Sequence, residues 1–499
     1  MKTKLNIEES GIRIIIVSGI LLTVIQFFFN RSLFVDEASL ALNIIHRSSF
    51  ELLKPLDSIQ VAPILFLQIE KFFSLLIPDS EFGLRLFPLI CFFITLYFIF
   101  KLLKAIFSSS ESLIFALSLF VFNTMIIRYA TEIKQYMGDV MLVSAVGYFT
   151  LMKFKNEKTR YIALAITGTI GIFLSNIAPI ILLSSGLFLL YKFLLIEQKN
   201  FKPMFITSAL WASVFFVYYL LFINDHANRD IQISSFSKRN GFFIINPFHP
   251  HFFNSINFIF NNIFKINLPF GTIGKIILSV LFASGLYKLI QQKNYGLIIF
   301  TITPLITHLV FSGLKMYPIM PRLMLYLIVV VIIVITKGFD MMLHYFNSIT
   351  KTRITRYLIL LLPLIMFIQV FVNGYPLKNA EIKNTIKYVE KRIKPDESVF
   401  VDSRAFKAFS YYRDIQYFKM NSPVIFGKKL AYNKKITLNY FDDIQGKTWL
   451  IFAGGNHGNN LKLMNKLKNE GYPFLDEFIK DNSSVHLVDF GYKNAEQQH

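Results

Sequence analysis

Residues 86–103 read Leu86-Phe-Pro-Leu-Ile-Cys-Phe-Phe-Ile-Thr-Leu-Tyr-Phe-Ile-Phe-Lys-Leu-Leu103, with Lys101 as the one charge. An α-helix rising about 1.5 Å per residue nearly covers the ~30 Å hydrocarbon core of a bilayer with such a run. Comparable runs recur at 11–30, 112–127, 138–152, 161–175, 180–195, 204–223, 271–290, 294–311, 322–336 and 357–373. The expectation is a polytopic α-helical membrane protein of about eleven spans. The composition agrees: 54% of the 499 residues are hydrophobic, and Phe alone fills 55 positions. The N-terminal run ends at Phe29-Asn30-Arg31 with no small-residue cleavage pattern, so it reads as a span rather than a signal peptide.

The formal charge of +21 would suggest nucleic acid in a soluble chain. Here the basic residues sit mostly in short gaps between apolar runs, where they set topology, and no nucleic-acid partner is expected. With a cytoplasmic N-terminus, the inner segments hold 18 Lys and Arg in about 69 positions, against 13 in about 128 for the outer connections. Eleven spans then place residues 374–499 outside. The single cysteine, Cys91, excludes an intramolecular disulfide and a Cys-based zinc site. The tail reads as an extracytoplasmic α/β domain, giving two parts, 1–373 and 374–499. Helical periodicity covers Asn379–Lys394, Ala405–Arg413 and Leu461–Asn469; strand runs are Ser398–Asp402, Trp449–Gly454 and Val485–Phe490. Their alternation predicts a small, mainly parallel sheet. Gly454-Gly455-Asn456-His457-Gly458 lacks the full spacing of a phosphate loop and reads as an ordinary strand-to-helix turn.

Polar residues able to do chemistry gather in the outer connections. Phe34-Val-Asp36-Glu37-Ala-Ser-Leu40 follows the first run, and two adjacent carboxylates at a membrane boundary must be hydrated, paired or metal-bound. Consecutive helical residues diverge by about 100°, so one can cap a helix while the other faces a cavity. Gln60-Val-Ala-Pro63 precedes residues 64–77, whose Gln68, Glu70 and Lys71 suit an interfacial helix better than a span. Glu81-Phe-Gly-Leu-Arg85-Leu86 follows, with Arg85 free to snorkel. Arg128-Tyr-Ala-Thr-Glu132-Ile-Lys134-Gln-Tyr136-Met-Gly-Asp139 joins cations suited to phosphate with a second acid. Lys315-Met-Tyr317-Pro-Ile-Met-Pro321-Arg322 opens the tenth run, and Ser175-Asn176-Ile-Ala-Pro179 offers a cavity wall. His249 and His251, two apart with no carboxylate beside them, fit an aromatic interfacial loop better than a metal site.

Together these segments resemble the GT-C class of polyprenyl-phosphate-sugar-dependent membrane glycosyltransferases, which includes protein O-mannosyltransferases and the lipid A aminoarabinose transferase. Val35-Asp36-Glu37 resembles the acidic motif after the first span. Gln60-Val-Ala-Pro63 and Glu81-x-x-x-Arg85-Leu86 resemble a proline segment and a Glu-x-x-x-Arg-Leu motif. The stretch from Arg128 to Tyr136 resembles the Glu-x-Arg-x-Tyr second loop, with Lys134 where Arg is commoner; Tyr317-Pro through Arg322 resembles a late-loop pattern. The resemblance implies a bacterial inner-membrane enzyme that moves a sugar from a polyprenyl-phosphate donor, with inversion, to a lipid, glycan or protein acceptor at the outer face. It implies Asp36 and Glu132 as catalytic residues, and Arg128, Lys134 and Arg322 as ligands of the donor phosphate. Glu37, Gln60, Arg85, Tyr136 and Tyr317 would be substrate-binding. Some members of the class use a divalent metal and others none. A transporter or lipid-linked-oligosaccharide flippase is the alternative, with a polysaccharide polymerase and a receptor or scaffold behind it; acids concentrated in outer loops favour an enzyme.

Overall fold

The computed structural model describes residues 2–78, 80–196, 201–224, 227–263, 271–350, 354–415, 422–427, 438–454 and 457–491. The chain forms two compact units. The first comprises Met1–Phe28, Ser49–Phe73 and Phe82–Tyr375; the second comprises Phe29–Ser48, Ser74–Glu81 and Pro376–His499.

In the first unit helices cover most of each expected apolar run. Among the described residues seven helices are long and apolar enough to cross a membrane: Glu9–Phe29, Glu81–Ile106, Ala178–Leu195, Phe201–Ile223, Gly271–Gln291, Tyr295–Gly313 and Leu325–Phe346. Shorter apolar helices cover Ser110–Val121, Tyr136–Leu151 and Leu361–Val372. Large apolar side chains such as Ile14, Val17 and Leu21 stay exposed along them. That is untenable in water over so wide a surface and natural against lipid. Two runs depart from expectation. The run at 112–127 breaks at Asn123, whose side-chain oxygen accepts from Met125 N at 2.9 Å and Ile126 N at 3.4 Å and starts a new short helix, Thr124–Tyr129. The run at 322–336 enters through a 3-10 turn, Leu325–Leu327, before the helix Ile328–Thr350. That helix lies against Gly271–Gln291 at a glycine contact. A methyl group on Gly285 would collide with the Val334 carbonyl, and one on Gly338 with the Leu281 carbonyl. Small residues permit this backbone approach, which supplies the dispersion contact that drives helix association in lipid.

Residues 64–77 form the helix Ile64–Leu76, whose 13 residues are too short to cross. Phe72, Leu75 and Leu76 are exposed while Glu70 is buried, the partition of an interfacial helix.

Among its described residues the second unit has five strands: β1 (Ser398–Val401), β2 (Val424–Phe426), β3 (Lys447–Ala453), β4 (Phe474–Lys480) and β5 (Ser483–Asp489), in the order β2-β1-β3-β5-β4. β1 pairs in parallel with β2 and β3, whereas β5 runs antiparallel to both β3 and β4. The sheet is therefore mixed rather than mainly parallel. The cause is a hairpin that the alternation of strand and helix runs does not show: β4 turns into β5 through Asp481-Asn482, whose φ angles of 41° and 59° are those a two-residue hairpin loop requires. Phe400, Leu450, Phe452, Leu463, Met464, Leu467 and Val488 form the core beneath the sheet. Trp449 is buried beside it and donates its indole N–H to Glu397 Oε2 at 2.8 Å. The Gly455-Asn456 pair of the glycine turn lies outside the described residues.

Candidate active site

The first unit collects most of the polar residues singled out above. The short helix Thr124–Tyr129 ends at a buried tyrosine, and Tyr136 starts the next helix, Tyr136–Leu151. Their rings meet edge to face at 5.0 Å between centroids. Burial pushes the Tyr129 phenol far above its ordinary range; Glu132 and then Tyr136 raise it further, while Arg322 and Arg128 pull it down. Those four electrostatic neighbours come from two connections nearly 200 residues apart in the chain. Desolvation likewise raises the Tyr317 phenol, with Asp139, Tyr326 and Tyr136 adding to it. One polar cluster thus joins Arg128, Glu132, Tyr136, Tyr317 and Arg322.

Lys134 is buried and donates from Nζ to Gln60 Oε1 at 2.9 Å. Gln60 is presented by an unusual backbone: Ser58 and Ile59 both adopt left-handed conformations, at φ 58° and 59°. That region is costly for a β-branched residue and needs external support. The support is a set of amide side chains from the connection at 224–270. Asn228 Nδ2 donates to the Leu56 and Gln60 carbonyls at 3.0 and 3.4 Å, and Gln232 Nε2 to the Ile59 carbonyl at 3.0 Å. The same connection holds the late loop, since Ile319 N donates to the Gly241 carbonyl at 2.7 Å and Phe243 N to Ser312 Oγ at 2.9 Å.

Below these loops, Asp139 is buried in its helix and accepts from Ser175 Oγ at 2.5 Å, so the Ser175 turn does line a polar interior. His308, also buried, pairs through Nδ1 with the Tyr326 hydroxyl at 2.8 Å. The motifs in the sequence give no role to Tyr129, Asp139 or His308. The available signal was an ionisable residue inside an apolar helix, which in a membrane is a functional candidate by default. Arg85 is buried instead of snorkelling outward. His249 and His251 are exposed, and each ring nitrogen Nδ1 serves its own loop, at His251 N (3.2 Å) and Asn254 Nδ2 (3.4 Å).

The second unit holds Asp36 in the first turn of the helix Val35–His46. Glu37 is buried and turns back so that Phe34 N donates to its Oε2 at 3.5 Å, the capping role, while Asp36 is half-buried. The adjacent acids divide as their 100° separation allows. The helix Phe406–Asp414 packs against Val35–His46, and His46 Nε2 lies 2.9 Å from Asp414 Oδ2. Among the described residues no group of three or more His, Cys, Asp or Glu side chains is arranged to hold a metal ion.

No family model and no curated protein matches the sequence. Solved structures do match the fold. ArnT from Cupriavidus metallidurans in the apo state superposes with a TM-score of 0.54 at 10% identity, over 96% of this chain and 98% of that one. The same protein bound to undecaprenyl phosphate gives 0.52 at 8%, over 95% and 97%. The chain has the apolar helices of a multi-pass membrane protein together with a sheet-bearing unit, and its fold is similar to that of ArnT.

Proposed function

We propose that the protein transfers a sugar from a polyprenyl-phosphate donor to an acceptor hydroxyl at the outer face of a bacterial inner membrane. The observation that supports this most is the polar cluster around Tyr129, where Glu132, Arg128 and Arg322 meet among otherwise apolar helices. Cations beside an acid at the mouth of apolar helices suit a ligand with an anionic head and a hydrocarbon tail. ArnT from Cupriavidus metallidurans binds a lipid of that chemistry, undecaprenyl phosphate.

In the reaction we assign, Asp36 accepts the proton of the acceptor hydroxyl as its oxygen attacks the anomeric carbon. The bond from that carbon to the phosphate oxygen breaks, and the configuration inverts. The leaving polyprenyl phosphate gains negative charge, which Arg128, Lys134 and Arg322 stabilise. Glu132 orients the acceptor. Gln60 holds the Lys134 ammonium in place, and Tyr136 and Tyr129, the latter kept neutral by burial, act as hydrogen-bond donors.

The test is transfer from a panel of radiolabelled polyprenyl-phosphate sugars in membranes carrying the wild type or Asp36→Asn. Label entering a lipid, glycan or protein fraction with wild type alone supports the assignment and names donor and acceptor class. No transfer from any donor with folded protein present, and sugar-lipid flux in proteoliposomes instead, would replace the enzyme with a flippase.

A further inference from the structure

The segment Asn30–Phe34, between the first helix and the helix that carries Asp36, has no regular structure of its own. Arg31, Ser32 and Leu33 are nevertheless buried, and buried backbone groups must find partners. Within the second unit those partners come from beyond residue 375. Leu33 N donates to the Tyr412 hydroxyl at 2.8 Å, and Tyr412 donates onward to Glu81 Oε1 at 2.9 Å. Lys383 Nζ lies 2.9 Å from the same Glu81 oxygen and also donates to the Asn30 carbonyl. Asn30 Nδ2 reaches Glu81 Oε2 at 3.4 Å. Asn379 Nδ2 donates to the Ser32 carbonyl at 3.1 Å, Lys383 N to Ser32 Oγ at 3.1 Å, and Ser32 Oγ to Glu381 Oε2 at 3.1 Å. Tyr412, Glu81 and Ser32 are almost wholly buried.

A relay from amide to phenol to carboxylate to ammonium, with the bonds to Ser32, therefore ties Asn30, Ser32 and Leu33 ahead of the Asp36 helix turn. The Tyr412 hydroxyl stands at its centre as both donor and acceptor, on the helix Phe406–Asp414 that packs against the Asp36 helix. The phenol does not touch a reacting atom in this scheme. Its effect passes through Leu33 to the first turn that carries the carboxylate.

We propose that Tyr412, supported by Glu81 and Lys383, is a positioning residue for Asp36, so that residues of the tail set the geometry of the base. This rests on the assignment of Asp36 as the base. A buried hydrogen-bonded network of this kind holds one geometry because each member would be left unsatisfied in another. Catalysis is sensitive to displacements of about 1 Å, so loosening the entry to the helix lowers turnover without altering donor affinity.

The test uses the full-length chain in detergent or nanodiscs, with Tyr412→Phe, which keeps the ring and deletes the hydroxyl, and Glu81→Gln as an independent cut in the same relay. Two quantities are read: amide hydrogen exchange in the peptide covering 30–36, and kcat and KM for transfer from the donor that wild type accepts. Expected are exchange faster by about tenfold and kcat lower by about tenfold, with KM for the donor within about twofold of wild type. Wild-type exchange in both variants removes the clamp. Faster exchange with wild-type kcat removes its positioning role. Wild type inactive with every donor, but with faster exchange in the variants, overturns the enzymatic reading while leaving the clamp as a structural tie.

Discussion

Asp36 and Glu132 are both acids in connections between apolar helices, yet they are held in opposite ways. Glu132 belongs to a cluster made by short turns between apolar helices: its neighbours Arg128, Tyr129 and Tyr136 lie within a few positions, and Arg322 joins from one late loop. Asp36 stands on a helix whose entry is fixed by Asn379, Lys383 and Tyr412, some 350 residues downstream. The first arrangement is local and backed by apolar packing. The second is a long-range hydrogen-bond network inside a unit that has its own sheet and core. On the proposed roles, the cations for a phosphate are placed by short turns between helices, whereas the base stands on a helix whose entry is tied by a long-range network.

If that division is real, variants in the two regions fail differently. Asp36→Asn deletes a general base, and transfer falls about a hundred- to ten-thousand-fold while donor binding, read by equilibrium dialysis of labelled donor, stays near wild type. Arg322→Ala removes a charge-assisted contact, for which about tenfold to a hundredfold weaker donor binding is expected. Equal loss of binding in both variants would erase the distinction. Gln60→Ala frees Lys134 from its 2.9 Å contact, and a rise of about threefold to tenfold in donor KM is expected, from one neutral-to-charged hydrogen bond partly replaced by water. The Tyr129 phenol, raised by burial and Glu132, stays neutral through alkaline pH. Its sign is clear, because both causes disfavour phenolate, so the difference ultraviolet titration of wild type against Tyr129→Phe should show no extra ionisation below about pH 11. The smallest effect is assigned to His249→Ala and His251→Ala, each within about twofold of wild-type transfer, since their ring nitrogens serve their own loop.

Much of this was legible in the sequence. The apolar runs locate the helices because lipid demands backbone satisfaction within each one. The order of Asp36, Glu132 and Arg322 along the connections between apolar runs is a pattern in the chain. Ser398–Val401 and Lys447–Ala453 were readable because buried strands are continuously apolar. Phe474–Lys480 was not, since Asp476, Glu477 and Lys480 interrupt it and only pairing with Ser483–Asp489 makes it a strand. The split at Asn123 depends on a side chain competing with backbone. The Tyr412 relay could not be read at all: nothing in Tyr411-Tyr412 marks one phenol as the partner of an amide 379 positions earlier. Such partners are set by tertiary approach, which no local periodicity encodes.

The measurement that bears most directly on the division between base and phosphate site places Asp36→Asn and Arg322→Ala side by side, reading donor dissociation constant and single-turnover rate at saturating donor. Asp36→Asn is predicted to bind donor like wild type and to turn over at least about a hundredfold more slowly. Arg322→Ala should bind about tenfold to a hundredfold less tightly. A near-normal single-turnover rate in Asp36→Asn, with the protein folded and donor bound, would contradict the assignment of Asp36 as the base.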